Sequence, residues 1–307
     1  MSGKGAQEIA FRSAIGACNS GSDLRVYMQD VMGNIRESVY DGSWSNGTEK
    51  NTIASAKLGS PIAVASKELK NIRVYYLSTD NMMKEAAYDH SKGWYEGAMN
   101  KSRMMVAPYS KIAACFLEGS DMTMRVYCQM TDNTIQEMGW NGDNSGWKKM
   151  QNLGAAMPGS EIACTSFKTS EMGTRVYFQD THNGMVEMCY DHNNGWYNGA
   201  LKMAHMLPRA AMACTSFMMS SNTLAIRLFY ATPTQVREMV WDGKKWHDGN
   251  FHVDCIPGTE IAAISWGHGN NLNMRVYFQK GELVSGVSEW MWSQGNWKAG
   301  KLAIPPA

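Results

Sequence analysis

Six times along the 307 residues an arginine, a glutamate and two aromatics recur in the same order. The arginines are Arg25, Arg73, Arg125, Arg175, Arg227 and Arg275, and the glutamates are Glu37, Glu85, Glu137, Glu187, Glu238 and Glu289. Three residues past each glutamate stands Tyr40, Tyr88, Trp140, Tyr190, Trp241 or Trp292, and each unit closes on Trp44, Trp94, Trp147, Trp196, Trp246 or Trp297. Arginine offers planar donors, glutamate offers acceptors for two hydroxyls, and an aromatic face covers apolar C–H surface while its N–H or O–H reaches a hydroxyl. Hydrogen bonds to charged partners are stronger than neutral ones and demand good geometry. The set suits a neutral sugar.

Other chemistries fit less well. Glycosidases need two carboxylates flanking one bond, and each unit repeats only one. A neighbouring arginine should hold that carboxylate ionised, which makes it a poor general acid. Catalysis wants one asymmetric site, whereas six near-equal copies suit multivalent binding. A protein-interaction scaffold would leave the polar triads without a purpose, and the Gly-His…Trp-Asp signature of such propellers does not recur with the repeat. A surface ion pair is worth little and would not call for the same residue types six times.

The arginines are separated by 48, 52, 50, 52 and 48 residues, so one unit is about fifty residues long. A fixed period of this size means stacked supersecondary units, as in a solenoid or propeller. Each unit reads as four short strands. The first carries Ile-Ala or a variant, at Ile15, Ile62, Ile112, Ile162, Met212 and Ile261. The second is Arg-Val-Tyr-x-Gln, clean at Arg125–Gln129, Arg175–Gln179 and Arg275–Gln279, and its alternation suits a half-buried strand. The third holds the glutamate, and the fourth follows Trp-x-x-Gly, broken at Met150. Turn residues such as Asp132-Asn133, Asn183-Gly184 and Asp242-Gly243 separate them. In four units Glu lies 12 residues after Arg, so a hairpin is expected to set the two nearly opposite each other; the spacing is 11 in the fifth unit and 14 in the sixth.

Residues 1–307 are expected to form a single domain, with units near 1–57, 58–107, 108–157, 158–207, 208–256 and 257–307. The 44% hydrophobic content suffices for a sizeable core, and no linker-like stretch marks a boundary. A net charge of +1 without a basic stripe argues against nucleic acid and acidic membrane surfaces as partners. No run of 18 apolar residues exists, and Met1-Ser-Gly-Lys-Gly does not read as a signal peptide, so the compartment is left open between cytoplasm and a cell surface reached by a non-classical route. The seven cysteines lack zinc or disulfide spacing; Cys18, Cys115, Cys164 and Cys214 read as small buried hydrophobes. The seven histidines do not follow the repeat apart from Tyr-Asp-His at 88–90 and 190–192, so no metal or other cofactor is expected. Many of the 25 methionines, among them Met28, Met124, Met138, Met188 and Met274, fall on strands and read as core. Asn46-Gly47-Thr48 reads as an unmodified turn.

Arg-Val-Tyr-x-Gln, Ile-x-Glu-x-x-Tyr and Gly-Trp-Tyr resemble the fungal fucose-specific lectins of the Aleuria type, and most closely the Aspergillus fucose lectins. Segments outside the repeat carry the resemblance too: Arg36 to Asn51, Ala56 to Ile62, Ser66 to Tyr75, Val106 to Ser110, Asn133 to Glu137 and Pro305 to Ala307. The resemblance implies an all-β, six-bladed propeller that binds L-fucose and fucosylated glycans between adjacent blades, without metal or catalysis, as a homodimer. Each cleft would take Arg and Glu from one blade and aromatics from the next. The clefts would be Arg25 and Glu37 with Tyr88 and Trp94; Arg73 and Glu85 with Trp140 and Trp147; and Arg125 and Glu137 with Tyr190 and Trp196. The remaining three would be Arg175 and Glu187 with Trp241 and Trp246; Arg227 and Glu238 with Trp292 and Trp297; and Arg275 and Glu289 with Tyr40 and Trp44. Leu77 and Ala231 replace the glutamine of the motif, and the altered hairpins of the last two units are expected to reshape their clefts.

Overall fold

The computed structural model describes residues 8–119, 122–143, 145–220 and 223–306; the Met1-Ser-Gly-Lys-Gly stretch and Ala307 lie outside them. Six antiparallel sheets follow one another along the chain. Their innermost strands are Ile15–Ser20, Ala63–Lys67, Ile112–Phe116, Ile162–Lys168, Met212–Ser220 and Ile261–Trp266. Each innermost strand packs on the next, and the sixth packs on the first, so the ring closes into a six-bladed β-propeller. The Arg-Val-Tyr-x-Gln strands lie second from the axis, the glutamate strands third and the tryptophan strands outermost.

The outer edge is less regular than the repeat predicts. In the first blade the outermost position is shared by Trp44–Asn46 and Thr52–Ser55 around a short turn of 3-10 helix, Glu49–Asn51. In the second blade it stops at Glu96 and gives way to one helical turn, Met99–Ser102, with Met99 buried. Little packs on an outer edge, so sequence there tolerates such change.

The core is a series of layers between blades. Tyr27, Tyr75, Tyr127, Tyr177 and Tyr277 are fully buried, with Phe229 at the same place in the fifth blade. Met28, Met124, Met138 and Met274 are core residues, as read from their strand positions, while Met188 is half-buried. The cysteines are all free; Cys18 and Cys115 lie opposite Arg25 and Arg125, whereas Cys164 and Cys214 sit one position earlier, opposite Val176 and Leu228.

The motif glutamine turns out to be a staple between blades. Gln29, Gln129, Gln179 and Gln279 are buried, and their Nε2 atoms donate to carbonyls at the entrance to the neighbouring blade: Lys57, Met157, Leu207 and Ala10. Their Oε1 atoms accept from the backbone N–H of Gly59, Gly159, Ala210 and Arg12. The last of these joins sixth blade to first. A hydroxyl repeat that the sequence reading passed over completes the joint: Ser13, Ser60, Ser110, Ser160 and Thr259 accept the backbone N–H of Gln29, Leu77, Gln129, Gln179 and Gln279. Leu77 and Ala231 therefore remove a staple rather than a piece of a cleft.

Candidate sugar-binding clefts between blades

The register corrects one expectation. Arg25 lies opposite Val39, and the residue opposite Glu37 is Tyr27. The same offset recurs at Tyr75 with Glu85, Tyr127 with Glu137, Tyr177 with Glu187, Phe229 with Glu238 and Tyr277 with Glu289. Arg and Glu are thus diagonal neighbours on one face, with the tyrosine of Arg-Val-Tyr between them. Side chains two apart on a strand share a face, so the motif delivers guanidinium, phenol and amide to the same inter-blade gap.

The tyrosine seats the glutamate. Its hydroxyl donates to Oε1 at 2.7 Å in Tyr27–Glu37, 3.1 Å in Tyr127–Glu137, 2.9 Å in Tyr177–Glu187 and 3.3 Å in Tyr277–Glu289. The other oxygen accepts a backbone N–H from the same blade: Met99 to Glu85, Gln151 to Glu137, Leu201 to Glu187 and Lys301 to Glu289. This seat explains Trp-x-x-Gly. A Cβ added at Gly97, Gly199, Gly249 or Gly300 would fall 2.2–2.4 Å from the glutamate of its own blade. In the third blade Met150 takes the glycine's place on a bulged edge, and Gly139 opposite Arg125 leaves it room, since a Cβ there would meet Met150 Cγ at 2.8 Å.

The arginine is held in turn. Nη1 of Arg25, Arg73, Arg125, Arg175 and Arg275 donates to the preceding residue's own carbonyl at 2.9–3.0 Å. Nε then lies 3.4–4.0 Å from Glu Oε1 in the first, second, third, fifth and sixth blades. The spacings of 11 and 14 leave this geometry alone: the fifth and sixth pairs stand at 3.6 and 3.4 Å. The length difference is taken up in the turns, at 232–235 and 280–286. In the fourth blade Arg175 makes its ion pair with Asp191 instead, at 2.9 Å. These pairs are not surface pairs, because the glutamate side chains in them are only 2–17% exposed. Burial pushes the Glu37, Glu85, Glu137 and Glu238 carboxyls above their ordinary value, against the pull of their arginines. Desolvation thus outweighs the pull of the arginine that was expected to hold these carboxylates ionised.

The closing tryptophan comes from the next blade. Trp94 packs edge-on against Tyr27, Trp147 against Tyr75, Trp196 against Tyr127, Trp246 against Tyr177, Trp297 against Phe229 and Trp44 against Tyr277, with centroids 5.8–6.3 Å apart. Trp246 Nε1 donates to Glu187 Oε2 at 3.3 Å. The other aromatic leans on this tryptophan within its own blade, in the pairs Tyr40–Trp44, Tyr88–Trp94, Trp140–Trp147, Tyr190–Trp196, Trp241–Trp246 and Trp292–Trp297. The predicted residues thus meet in six gaps, apart from the altered partner of Arg175. The third gap is an open cleft of about 310 Å³ whose lining includes Arg125, Glu137, Met150, Met172, Tyr190 and Trp196. The fourth, of about 330 Å³, includes Arg175, Glu187, Tyr197 and Trp241.

Two kinds of residue escaped the sequence reading. The inner strand supplies a wall to some arginines: Phe167, Phe217 and Trp266 stack on Arg175, Arg227 and Arg275 at 4.8, 5.8 and 4.7 Å. The residue after the first aromatic grips the guanidinium from behind, as Asp89, Asn141 and Asp191 do. The recurrence of Tyr-Asp-His at 88–90 and 190–192 was the available signal for the second kind.

The model for fungal fucose-specific lectins matches residues 9–307. The chain belongs to the fungal fucose-specific lectin family. It is 46% identical to a fucose-specific lectin of Aspergillus fumigatus, with both chains covered in full, and 32% identical to that of Aleuria aurantia, over 90% of this chain and 74% of the other. Among solved structures it is similar to the SapL1 lectin in complex with α-methyl fucoside, with a TM-score of 0.91, 43% identity and 99% of this chain and 100% of the other covered. It also matches the six-bladed propeller of the Aleuria aurantia lectin, with a TM-score of 0.83, 29% identity and 98% of each chain covered. For this family member the repeated triads are the shared feature of all six gaps between blades.

Proposed function

We propose that this protein is a multivalent, non-catalytic lectin that binds L-fucose and fucosylated glycans in the six gaps between blades. The observation that carries the reading is where unsatisfied polarity collects. Among the described residues, eight buried side-chain polar atoms make no hydrogen bond of ordinary geometry within the protein, and six of them are triad atoms: Trp44 Nε1, Trp147 Nε1, Arg227 Nε, Glu238 Oε1, Arg275 Nε and Trp297 Nε1, with Arg227 and Arg275 meeting their glutamates only at the ion-pair distances of 3.6 and 3.4 Å. Buried polar groups are normally paired. Donors and acceptors left open beside aromatic faces await a ligand that brings its own hydroxyls and an apolar C–H patch. In each gap Arg would donate to ring and hydroxyl oxygens, Glu would accept from hydroxyls, and the aromatic pair of the next blade would cover the sugar's apolar side. The triads are those named from the sequence, with Asp191 added as partner of Arg175. The glutamate, held by a phenol on one oxygen and a backbone N–H on the other in the third, fourth and sixth blades, lacks the freedom to shuttle a proton, which supports binding without turnover.

Arg125→Ala tests the reading. Loss of charge-assisted bonds costs about 2 kcal/mol at that cleft, which is on the order of thirtyfold in affinity. Calorimetric titration with methyl α-L-fucoside should show about one site fewer per chain, with the melting temperature little changed. Full stoichiometry and affinity in a folded Arg125→Ala protein would remove the arginines from the binding site.

The homodimer implied by the resemblance finds support in an apolar patch on the face carrying the turns between blades. Phe11, Val31, Met32, Leu58, Leu283 and Val284 are 47–77% exposed there, and the loop bearing Leu283 and Val284 is tied to the Phe11 turn through Gln279. A second copy covering these side chains removes exposed apolar surface from water. Met32→Asp with Val284→Asp should then yield monomers in sedimentation analysis, and a dimer that withstands both changes would place the interface elsewhere.

A further inference from the structure

In the second and fourth gaps an aspartate pairs with the arginine, whereas Asp41, at the same place in the first blade, is exposed and is not among the described partners of Arg25. Arg73 Nη2 lies 2.9 Å from Asp89 Oδ1 while its Nε lies 3.4 Å from Glu85 Oε1, and Arg175 Nη1 lies 2.9 Å from Asp191 Oδ1. Each aspartate is in turn held by a phenol, Tyr95 to Asp89 and Tyr197 to Asp191, and each tyrosine ring also flanks the same guanidinium at about 6 Å. Both aspartates are mostly shielded, with side chains 18% and 16% exposed. Arg73 therefore stands between two carboxylates, Arg175 pairs with its aspartate instead of Glu187, and each of these clefts holds one carboxylate more than its arginine balances. The third cleft is a natural contrast, because the residue at this place is Asn141, which accepts from Arg125 Nη1 at 3.1 Å and leaves the cleft neutral. In the fifth blade Asp242 is turned to the backbone N–H groups of Lys244 and Lys245, and in the sixth the position is Ser293. Lys92, 3.8 Å from Asp89 but exposed, offsets part of the charge in the second cleft. Nothing equivalent is paired with Asp191 among the described ion pairs, so the fourth cleft shows the effect most fully.

We infer that Asp191 and Asp89 are specificity-determining residues that set the fourth and second clefts against anionic fucosylated glycans, while the third accepts them. The inference rests on the reading of these gaps as fucose sites. A sulfate or carboxylate borne by a neighbouring sugar would approach the aspartate at several ångströms across a half-open cleft. Like charges at that range weaken binding by about fivefold at low salt, and the penalty fades as salt screens it.

The probes are a neutral fucosylated lactosamine and its sulfated form, titrated calorimetrically against the wild-type protein and Asp89→Asn/Asp191→Asn, at low and at high salt. The wild type should show a weakened class of about two sites for the sulfated probe alone, and the class should merge with the rest at high salt. In the double variant the sulfated-to-neutral affinity ratio should rise to that of the remaining sites, whatever happens to absolute affinity. Asn141→Asp should do the reverse and add the third cleft to the weakened class, which keeps the test decisive if the double variant fails to fold. A ratio unmoved by substitution and by salt overturns the inference, because a merely structural aspartate would not respond to salt. Absence of neutral-probe binding to the wild type would instead refute the lectin reading itself.

Discussion

Gly199→Ala tests whether the glutamate's seat makes the cleft. A Cβ at this position would stand 2.2 Å from Glu187 Oε2, 2.4 Å from Cγ and 2.5 Å from Cδ. Relief to ordinary contact requires the carboxylate to move on the order of 1 Å, since small-to-large changes in packed sites are accommodated by shifts of this kind. The bonds from Leu201 N–H at 3.2 Å and Trp246 Nε1 at 3.3 Å are already long, and such a shift breaks both. Overpacking costs about 1–3 kcal/mol, offset by roughly 0.4–1 kcal/mol because alanine narrows the unfolded ensemble. The net loss of stability is therefore about 1–2 kcal/mol. Binding should suffer more than the fold, because the acceptor is displaced and the indole that spans the gap loses its anchor. A cost of about 2 kcal/mol lowers affinity at this one cleft roughly thirtyfold. Calorimetric titration with methyl α-L-fucoside should lose about one site per chain, while scanning calorimetry shows a folded, cooperative protein. A Gly199→Ala protein that keeps its full count of sites at unchanged affinity would show that the glycine does not protect the glutamate's position.

The interblade staple should be separable from binding: Gln129→Leu removes bonds to Met157 and Gly159, leaves the buried Gly159 N–H unpaired while Met157 keeps the bond from Ser160, and should cost about 1–3 kcal/mol in denaturant unfolding with the fucoside stoichiometry intact. Acid should weaken binding earlier than an ordinary glutamate would, because burial raises the Glu37, Glu85, Glu137 and Glu238 carboxyls above 4.5 and a protonated carboxyl is a poorer acceptor. The same groups act on the fold with the opposite sign: a raised folded value gives stability that is complete below 4.5 and lost as pH rises through that folded value, so affinity and these groups' share of stability should move in opposite directions over that window in titrations and melts. Excess chelator should leave capture of a fucosylated glycoprotein unchanged, since among the described residues no group of three or more His, Cys, Asp or Glu could hold a metal; loss of capture restored by calcium would contradict the mechanism.

The repeat alone determined most of the architecture. Its period and strand-length units dictate stacked four-stranded blades, because a fifty-residue unit with one buried face per strand must cover itself with its neighbour. The polar triads were also legible, since Arg, Glu and Trp at fixed offsets have no purely apolar purpose. Three matters needed the tertiary structure. Register was one: Glu37 faces Tyr27 rather than Arg25 because the turn length, not the midpoint between two charges, sets pairing. The role of conspicuous motif residues was another. Gln129 has the chemistry of a sugar ligand, yet it is buried against the loop that enters the next blade, and only the stacking of successive blades brings that loop's carbonyl and N–H to it. The third was the difference among copies. Asp89, Asn141 and Asp191 sit at one place in three hairpins, and whether each reaches its arginine depends on side-chain direction around a turn, which composition and spacing leave open.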